Sequence, residues 1–287
     1  MILVPMPDHP YYHWQARVQY RELARQGRAV TYLVYTRGRR GPSRALKRAL
    51  PESAVEWWGD WRTPEEMTYN AAMKPWLVGK WLERWPEAET DAHMVLDPDA
   101  IPTEHFEMPR VTEVDWAATD TDTYTGAAYL ESKNAWEPLC ASLGAENPPR
   151  QGVGAQVVFT GSAAHLWSLV AQESIRVHGI LSDIEPPDGE LPVQAWCAEM
   201  YVMPILAAQQ GIEVQADPSM DMVWAGDDIE GWQSAGFFHN AGVTEENGRD
   251  FCKLRYRNSD PARDLSRLRK VISPESASYP LLDMLNQ

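Results

Sequence analysis

Two aspartates two residues apart, Asp97 and Asp99, follow a short apolar run in HMVLDPDAIP, residues 93–102. Carboxylates at this spacing can grip one divalent cation, directly or through water. Such a cation can bridge the two phosphates of a nucleotide diphosphate and neutralise charge building on a leaving phosphate. A lone Asp-x-Asp triplet also arises as an exposed turn; the apolar lead-in at 94–96 roots this one at the end of a buried strand. His239 lies in FFHNAGV with Gly236 and Gly242 on either side. Imidazole is a ligand for manganese and similar ions, and small neighbours let the backbone come close to a ligand. Taken alone His239 reads as a structural histidine; taken with Asp97 and Asp99 it completes a metal set. As an exposed metal ligand, Asp99 is expected to add little to stability.

Glu199, after Trp196 in WCAEMYVM, offers a helix-borne carboxylate that could take the proton of an acceptor hydroxyl or hold that hydroxyl in line. A solvated helix position explains it equally well. Asp183 and Asp221 are further candidates for that role. Asp120 and Asp122, in TDTDTYTG, could hold sugar hydroxyls or simply make a polar surface turn.

The elements that must position these groups follow from hydrophobic pattern and punctuation. Apolar or β-branched runs at 2–6, 29–35, 54–58 and 93–96 read as strands. Between them, 11–26, 43–50 and 64–85 read as helices, with Ser43 and Thr63 as caps and Pro75 as a kink in the third. Strands alternating with helices predict an α/β fold with a mainly parallel sheet, whose ligands lie beyond the carboxyl ends of the strands. Asp97 and Asp99 sit at such an end. The second half is less regular. Strands are expected at 114–118, 127–130, 156–160, 212–216 and 250–257, and helices at 162–178 and 195–210. An acidic, Pro-rich loop covers 183–192, and 231–247 is Gly-rich and irregular.

Composition narrows the class. The chain has 287 residues, 44% of them hydrophobic, enough for a full core. It has no apolar run of about 18 residues, so no membrane span is expected. MILVPMPDHP lacks the basic start and long apolar stretch of a secretory signal. Cys140, Cys197 and Cys252 are widely spaced and show neither zinc spacing nor a disulfide framework, which suits a cytoplasmic location. A net charge of -15 argues on its face against a polyanionic partner. Yet half of the 26 Lys and Arg residues lie in two stretches, 37–48 and 253–270. These are solvated helix faces or the footprint of a phosphate-rich ligand, either a diphosphate donor or a nucleic acid. Of the 13 tryptophans most belong in the core, and some suit a platform for a sugar or base. A metal-dependent phosphodiesterase would need a denser His and Asp cluster than the sequence has.

Five segments carry a resemblance: HWQARVQY (13–20), YNAAMKPWLVGKWL (69–82), VLDPDAI (95–101), WCAEMYVMPILAAQQGI (196–212) and FFHNAGVT (237–244). In this order they resemble the plant hydroxyproline O-arabinosyltransferases and peptidyl serine galactosyltransferases, a GT-A-type glycosyltransferase family with relatives in bacterial viruses. The resemblance implies a GT-A-like nucleotide-binding sheet flanked by helices. It places a catalytic domain over 1–258, with a nucleotide-sugar half at 1–110 and an acceptor half at 111–258, and leaves 259–287 as a peripheral helix and tail. It implies that Asp97 and Asp99 bind manganese or magnesium and that His239 completes the shell. It puts Gln15, Asn70 and Lys74 near the donor, such as a UDP-sugar. Two acceptors compete. One is a 5-hydroxymethylpyrimidine such as hydroxymethylcytosine in phage DNA, which must leave the base stack and would give both basic stretches a purpose. The other is a hydroxyproline, Ser or Thr side chain in a protein, which the plant resemblance favours. A non-catalytic carbohydrate- or nucleotide-binding protein, for which the tryptophan content is suited, is the reading from a different class.

Overall fold

The apolar runs of the sequence form the strands of a mixed α/β fold. The computed structural model describes every residue except 38–40, 60–61, 65–66, 162, 242–247 and 287. In chain order the elements are β1 (Ile2–Pro7), α1 (Pro10–Arg25), β2 (Val30–Thr36), α2 (Arg44–Ala49), β3 (Val55–Gly59), α3 (Met73–Arg84), β4 (His93–Val95) and β5 (Ala100–Pro102). There follow β6 (Asp115–Asp120), α4 (Asp122–Thr125), α5 (Ala127–Ser132), α6 (Trp136–Leu143), β7 (Val153–Phe159), α7 (Ala164–Ser182), α8 (Ala198–Gln209) and β8 (Glu213–Ala216). The last are β9 (Met222–Trp224), β10 (Phe237–His239), α9 (Leu265–Val271) and α10 (Tyr279–Leu285). The central sheet has seven strands, and helices flank it.

The chain divides into two compact units. The first comprises Met1–Asp60, Leu96–Met108 and Pro218–Gln287; the second comprises Trp61–Val95 and Pro109–Asp217. In the first, the parallel strands run in the order β3-β2-β1, and a separate three-stranded sheet runs β5-β10-β9. Trp14 and Val18, one turn apart on the buried face of α1, join Ile101, Phe238 and Phe251 in its core. Residues 259–287, expected as a peripheral helix and tail, contribute Leu268, Ile272, Leu281, Leu282 and Leu285 to that same cluster. In the second unit the strands run β4-β7-β6-β8, and α3 and α8 both pack on α7. Its aromatic core stacks Trp116 on Trp167, both against Phe159. No helix among the described residues is long and apolar enough to cross a membrane.

The parallel expectation holds for β1–β3 and for β6 with β8, but β7 runs antiparallel to both β4 and β6. Residues 127–130, expected as a strand, lie in α5, because the buried pair Ala127 and Leu130 has helical spacing and Ala favours a helix. Residues 250–257, also expected as a strand, form a loop and a 3-10 turn at Lys253–Tyr256. A side-chain hydroxyl from beyond the segment takes one backbone group a ladder would need: Ser278 Oγ accepts from the Phe251 amide, while Ser276 Oγ donates to the Asp250 carboxylate. The helix expected over 64–85 begins only at Met73, after a 3-10 turn at Asn70–Ala72. Pro75 therefore falls in its first turn, where the missing N–H has no helical acceptor to lose, and no kink is required. The irregular Gly-rich segment contains β10. Gly236 is required just before it, because a Cβ there would lie 2.0 Å from the Ser219 carbonyl. Gly242, the other glycine beside His239, lies outside the described residues.

Candidate metal and donor site

Asp97 and Asp99 occupy a turn whose ends are fixed from two sides. The Leu96 amide donates to the Leu3 carbonyl at 2.9 Å, and the Ala100 amide closes the turn on the Asp97 carbonyl at 3.1 Å. Gln19, on the buried face of α1, spends its side-chain amide on the same turn, donating to the carbonyls of Asp97 at 2.7 Å and Ala100 at 2.6 Å. Backbone and an uncharged amide thus help to hold the turn.

Strand pairing delivers His239. β5 and β10 run antiparallel with Ala100 opposite His239, and the Asn240 amide donates to the Asp99 carbonyl at 3.0 Å. β9 lies on the other side of β10 with Trp224 beside His239, and the indole stacks on the imidazole at 4.9 Å between centroids. One ligand atom from each of Asp97, Asp99 and His239 lies within 4.8 Å of the other two. Both aspartates are half-buried and His239 is buried.

The cluster also contains a residue that composition had put elsewhere. Lys253, counted with the basic stretch 253–270, is 5% exposed, and its ammonium hydrogen-bonds Asp99 Oδ2. His239 Nε2 lies 3.5 Å from the other carboxylate oxygen. Burial pushes the Asp99 carboxyl up, but the Lys253 ammonium and then the His239 imidazole outweigh it and hold the group well below the usual carboxylate range. The Tyr11 ring centroid lies 5.7 Å from the same ammonium. Burial first, and the Asp99 charge second, push the phenols of Tyr11 and Tyr12 well above their usual value.

The donor set suits a hard divalent cation: two carboxylates and one imidazole with neighbouring ligand atoms. Buried polar atoms of the same unit still want partners. His239 Nδ1, Asn240 Oδ1 and Gln15 Oε1 have none among the described residues. Gln15 sits one turn before Gln19 on α1, and its side-chain amide donates to the Tyr11 carbonyl at 2.5 Å. That bond fixes which way the amide points, so Oε1 is presented as an acceptor.

The second unit holds the other candidates. Glu199 lies in the first turn of α8, where the helix dipole favours a negative charge. It is not a solvated helix position: it is buried, 3.6 Å from the Lys74 ammonium, and its carboxylate contacts the Tyr69 hydroxyl. The Trp196 carbonyl, 2.6 Å from the same hydroxyl, shares its single proton with Glu199, and burial and the Glu199 charge together push the phenol far up. Lys74 donates to the Ala155 carbonyl at 3.2 Å, and Ala155 has a φ of +56°, a strained value for a residue with a Cβ. The cavity lined by Lys74, Ala155 and Glu199 measures about 20 Å³, room for about one water beside the carboxylate. Asn70 is exposed at the start of the 3-10 turn before α3, and Asp183 is exposed at the end of α7. Asp221, in the first unit, is exposed as well. Asp122 accepts from the Gly152 amide and Asp120 from the Asp122 amide, both at 2.8 Å, so these carboxylates brace a turn.

Lys253, Tyr69 and Trp224 were not singled out from the sequence. Lys253 had one legible signal, its setting between apolar residues in FCKL, which is unlike an exposed basic face.

No protein-family model matches the chain, and no curated protein matches it. Solved structures to which it is similar include two glycosyltransferases. One is the galactosyltransferase LgtC in complex with donor and acceptor sugar analogs, at 12% identity, covering 89% of this chain and 93% of that one, with a TM-score of 0.49. The other is a glycosyltransferase involved in the glycosylation of the major capsid of PBCV-1, at 12% identity, covering 89% and 95%, with a TM-score of 0.42. Likeness this distant leaves the site residues to be judged by their own geometry.

Proposed function

We propose that this protein is a metal-dependent glycosyltransferase of the GT-A type that uses a nucleotide-sugar donor. The observation that carries this reading is the meeting of Asp97, Asp99 and His239 on the β5–β10 pairing, with ligand atoms within 4.8 Å of one another. A divalent cation such as manganese, held by those three residues, supplies charge stabilisation for a diphosphate leaving group. The protein's own parts do the rest. Gln19 helps to hold the turn that carries both aspartates, and Trp224 fixes the imidazole plane. Gln15 offers an acceptor for a donor N–H or hydroxyl, in keeping with the donor role its segment implies. In the transfer, the acceptor oxygen bonds the anomeric carbon, the bond from that carbon to the diphosphate breaks, and the acceptor proton goes to a base. Glu199 is the residue proposed to take that proton, with Lys74 and Tyr69 holding its carboxylate.

For the acceptor, the reading favoured is a 5-hydroxymethylpyrimidine base in DNA, with a hydroxyl-bearing protein side chain as the alternative. What supports DNA is the exposure of Arg37, Arg44, Lys47 and Arg48 around α2, and of Arg257, Arg263, Arg267 and Lys270. Both groups belong to the unit that holds the metal cluster. Arg39 and Arg40 lie outside the described residues, and Lys253 leaves the basic surface because Asp99 takes it. The test offers the enzyme hydroxymethylcytosine-containing DNA or hydroxyl-bearing peptides, with a panel of nucleotide sugars and manganese. Transfer to DNA that weakens steeply with salt is expected, since each neutralised phosphate releases counterion. Transfer to peptide alone overturns the DNA acceptor. Binding of a nucleotide or sugar with no transfer or donor hydrolysis in any combination overturns the enzyme and leaves a binding protein.

A further inference from the structure

We infer that Lys253 is a resident counter-cation of the metal site, which a divalent ion must displace from Asp99 in order to bind. The inference rests on the reading of Asp97, Asp99 and His239 as metal ligands, and it adds a residue that no motif marks. The Lys253 ammonium sits on Asp99 Oδ2, while the other oxygen of the same carboxylate faces His239 Nε2 at 3.5 Å. Asp97 and Asp99 present their oxygens into the same few ångströms. Before a metal arrives, two carboxylates this close and this shielded from water repel each other, and a buried ammonium removes that repulsion.

The same ammonium obstructs the metal. An ion bound by Asp99 lies about 2–2.6 Å from its carboxylate oxygen. A lysine hydrogen-bonded to that carboxylate would then be held within a few ångströms of a doubly charged ion, in a site with little water to screen the repulsion. The two cations therefore compete for one carboxylate. The Tyr11 ring, 5.7 Å from the ammonium, lies within cation–π range and offers the displaced charge a face to remain against. An exchange of this kind sets metal affinity below what two carboxylates and an imidazole would give alone. It also leaves the cluster less negative when no metal is bound.

A structural lysine and a competing lysine predict opposite signs. If Lys253 only braces the site, removing it loosens the ligands and weakens metal binding. If it competes, removing it tightens metal binding. The experiment is calorimetric titration of the full chain with Mn²⁺ alone, confirmed by the electron paramagnetic resonance signal of free Mn²⁺. The proteins are the wild type, Lys253→Met, Lys253→Gln, Lys253→Arg and His239→Ala. Lys253→Met should bind Mn²⁺ at least ~10-fold more tightly than wild type, which corresponds to about 1.4 kcal/mol. Lys253→Gln should behave alike while keeping a hydrogen bond to Asp99, and it carries the test if the Met variant does not fold. Lys253→Arg, which keeps the charge, should stay near wild type. Wild-type or weaker affinity in a folded Lys253→Gln, beside a wild type that loses Mn²⁺ on His239→Ala, overturns the exchange and spares the metal site. Absence of Mn²⁺ binding in every protein overturns both.

Discussion

Replacing Asp99 by Asn keeps its shape and removes its charge, and the structure turns this into a stability prediction. Read as an exposed metal ligand, Asp99 was expected to contribute little to the fold. Its side chain is instead 14% exposed and paired with Lys253, whose side chain is 6% exposed. An ion pair at roughly 3–4 Å with an effective dielectric near 20 is worth about 4–5 kcal/mol of attraction. Breaking a buried pair by removing one partner costs about 3–5 kcal/mol, because the surviving charge is left without compensation. The amide introduced by Asp99→Asn can still offer a neutral carbonyl to the ammonium, which recovers about 1 kcal/mol. A net loss of about 3 kcal/mol lowers the melting temperature by about 6–12 °C in a chain of this size. Thermal unfolding followed by circular dichroism, with chelator present and no metal, reads this directly. The double variant Asp99→Asn/Lys253→Met should recover more than half of the loss, since both members of the pair are then gone. A single Asp99→Asn variant that melts within about 1 °C of wild type would show that Lys253 is not committed to Asp99, and the reasoning would fail.

Two further outcomes are expected. Glu199→Gln should lower turnover by about 10²–10⁴-fold with donor binding intact, measured as steady-state transfer beside calorimetry of the nucleotide; unchanged turnover would leave Glu199 a structural partner of Tyr69 and Lys74. Asp8 gives a pH dependence. Burial raises its carboxyl, but hydrogen bonds from His13 and from the hydroxyl and amide of Ser43 outweigh that and hold it below its ordinary value. A group lowered in the folded state stabilises fully above its unfolded pKa of about 3.9 and loses that contribution as pH falls through the folded value. The melting-temperature gap between wild type and Asp8→Ala should be level from about pH 7 to about pH 5 and shrink below about pH 4. A gap that widens on acidification would contradict the assignment.

Much of the first half was legible because its signals are local. The alternation of apolar runs and capped helices gave β1, α1, β2 and α2, with Ser43 capping the Leu46 amide at 3.1 Å as its position suggested. Asp97 and Asp99 stood out for the same reason, being carboxylates at the end of an apolar strand. The convergence of His239 on them depends on β5 pairing with β10, and a pairing between three-residue strands so distant in sequence leaves no local trace. Lys253 was hidden differently. Charge clustering treats every lysine in a stretch alike, and only the fold separates the one that turns inward from those that face solvent. Residues 127–130 and 250–257 were misread because short apolar segments fit either period, and in the second the hydroxyl of Ser278 takes a backbone group from beyond the segment.

The central claim is that Asp97, Asp99 and His239 bind a nucleotide diphosphate through a divalent cation. Its most direct test is calorimetric titration of wild type and His239→Ala with UDP, each with Mn²⁺ and with chelator. The wild type should bind UDP with Mn²⁺ and lose most of that affinity in chelator, and His239→Ala should bind weakly in both. UDP affinity that is equal in Mn²⁺ and in chelator, and unaffected by His239→Ala, would contradict it.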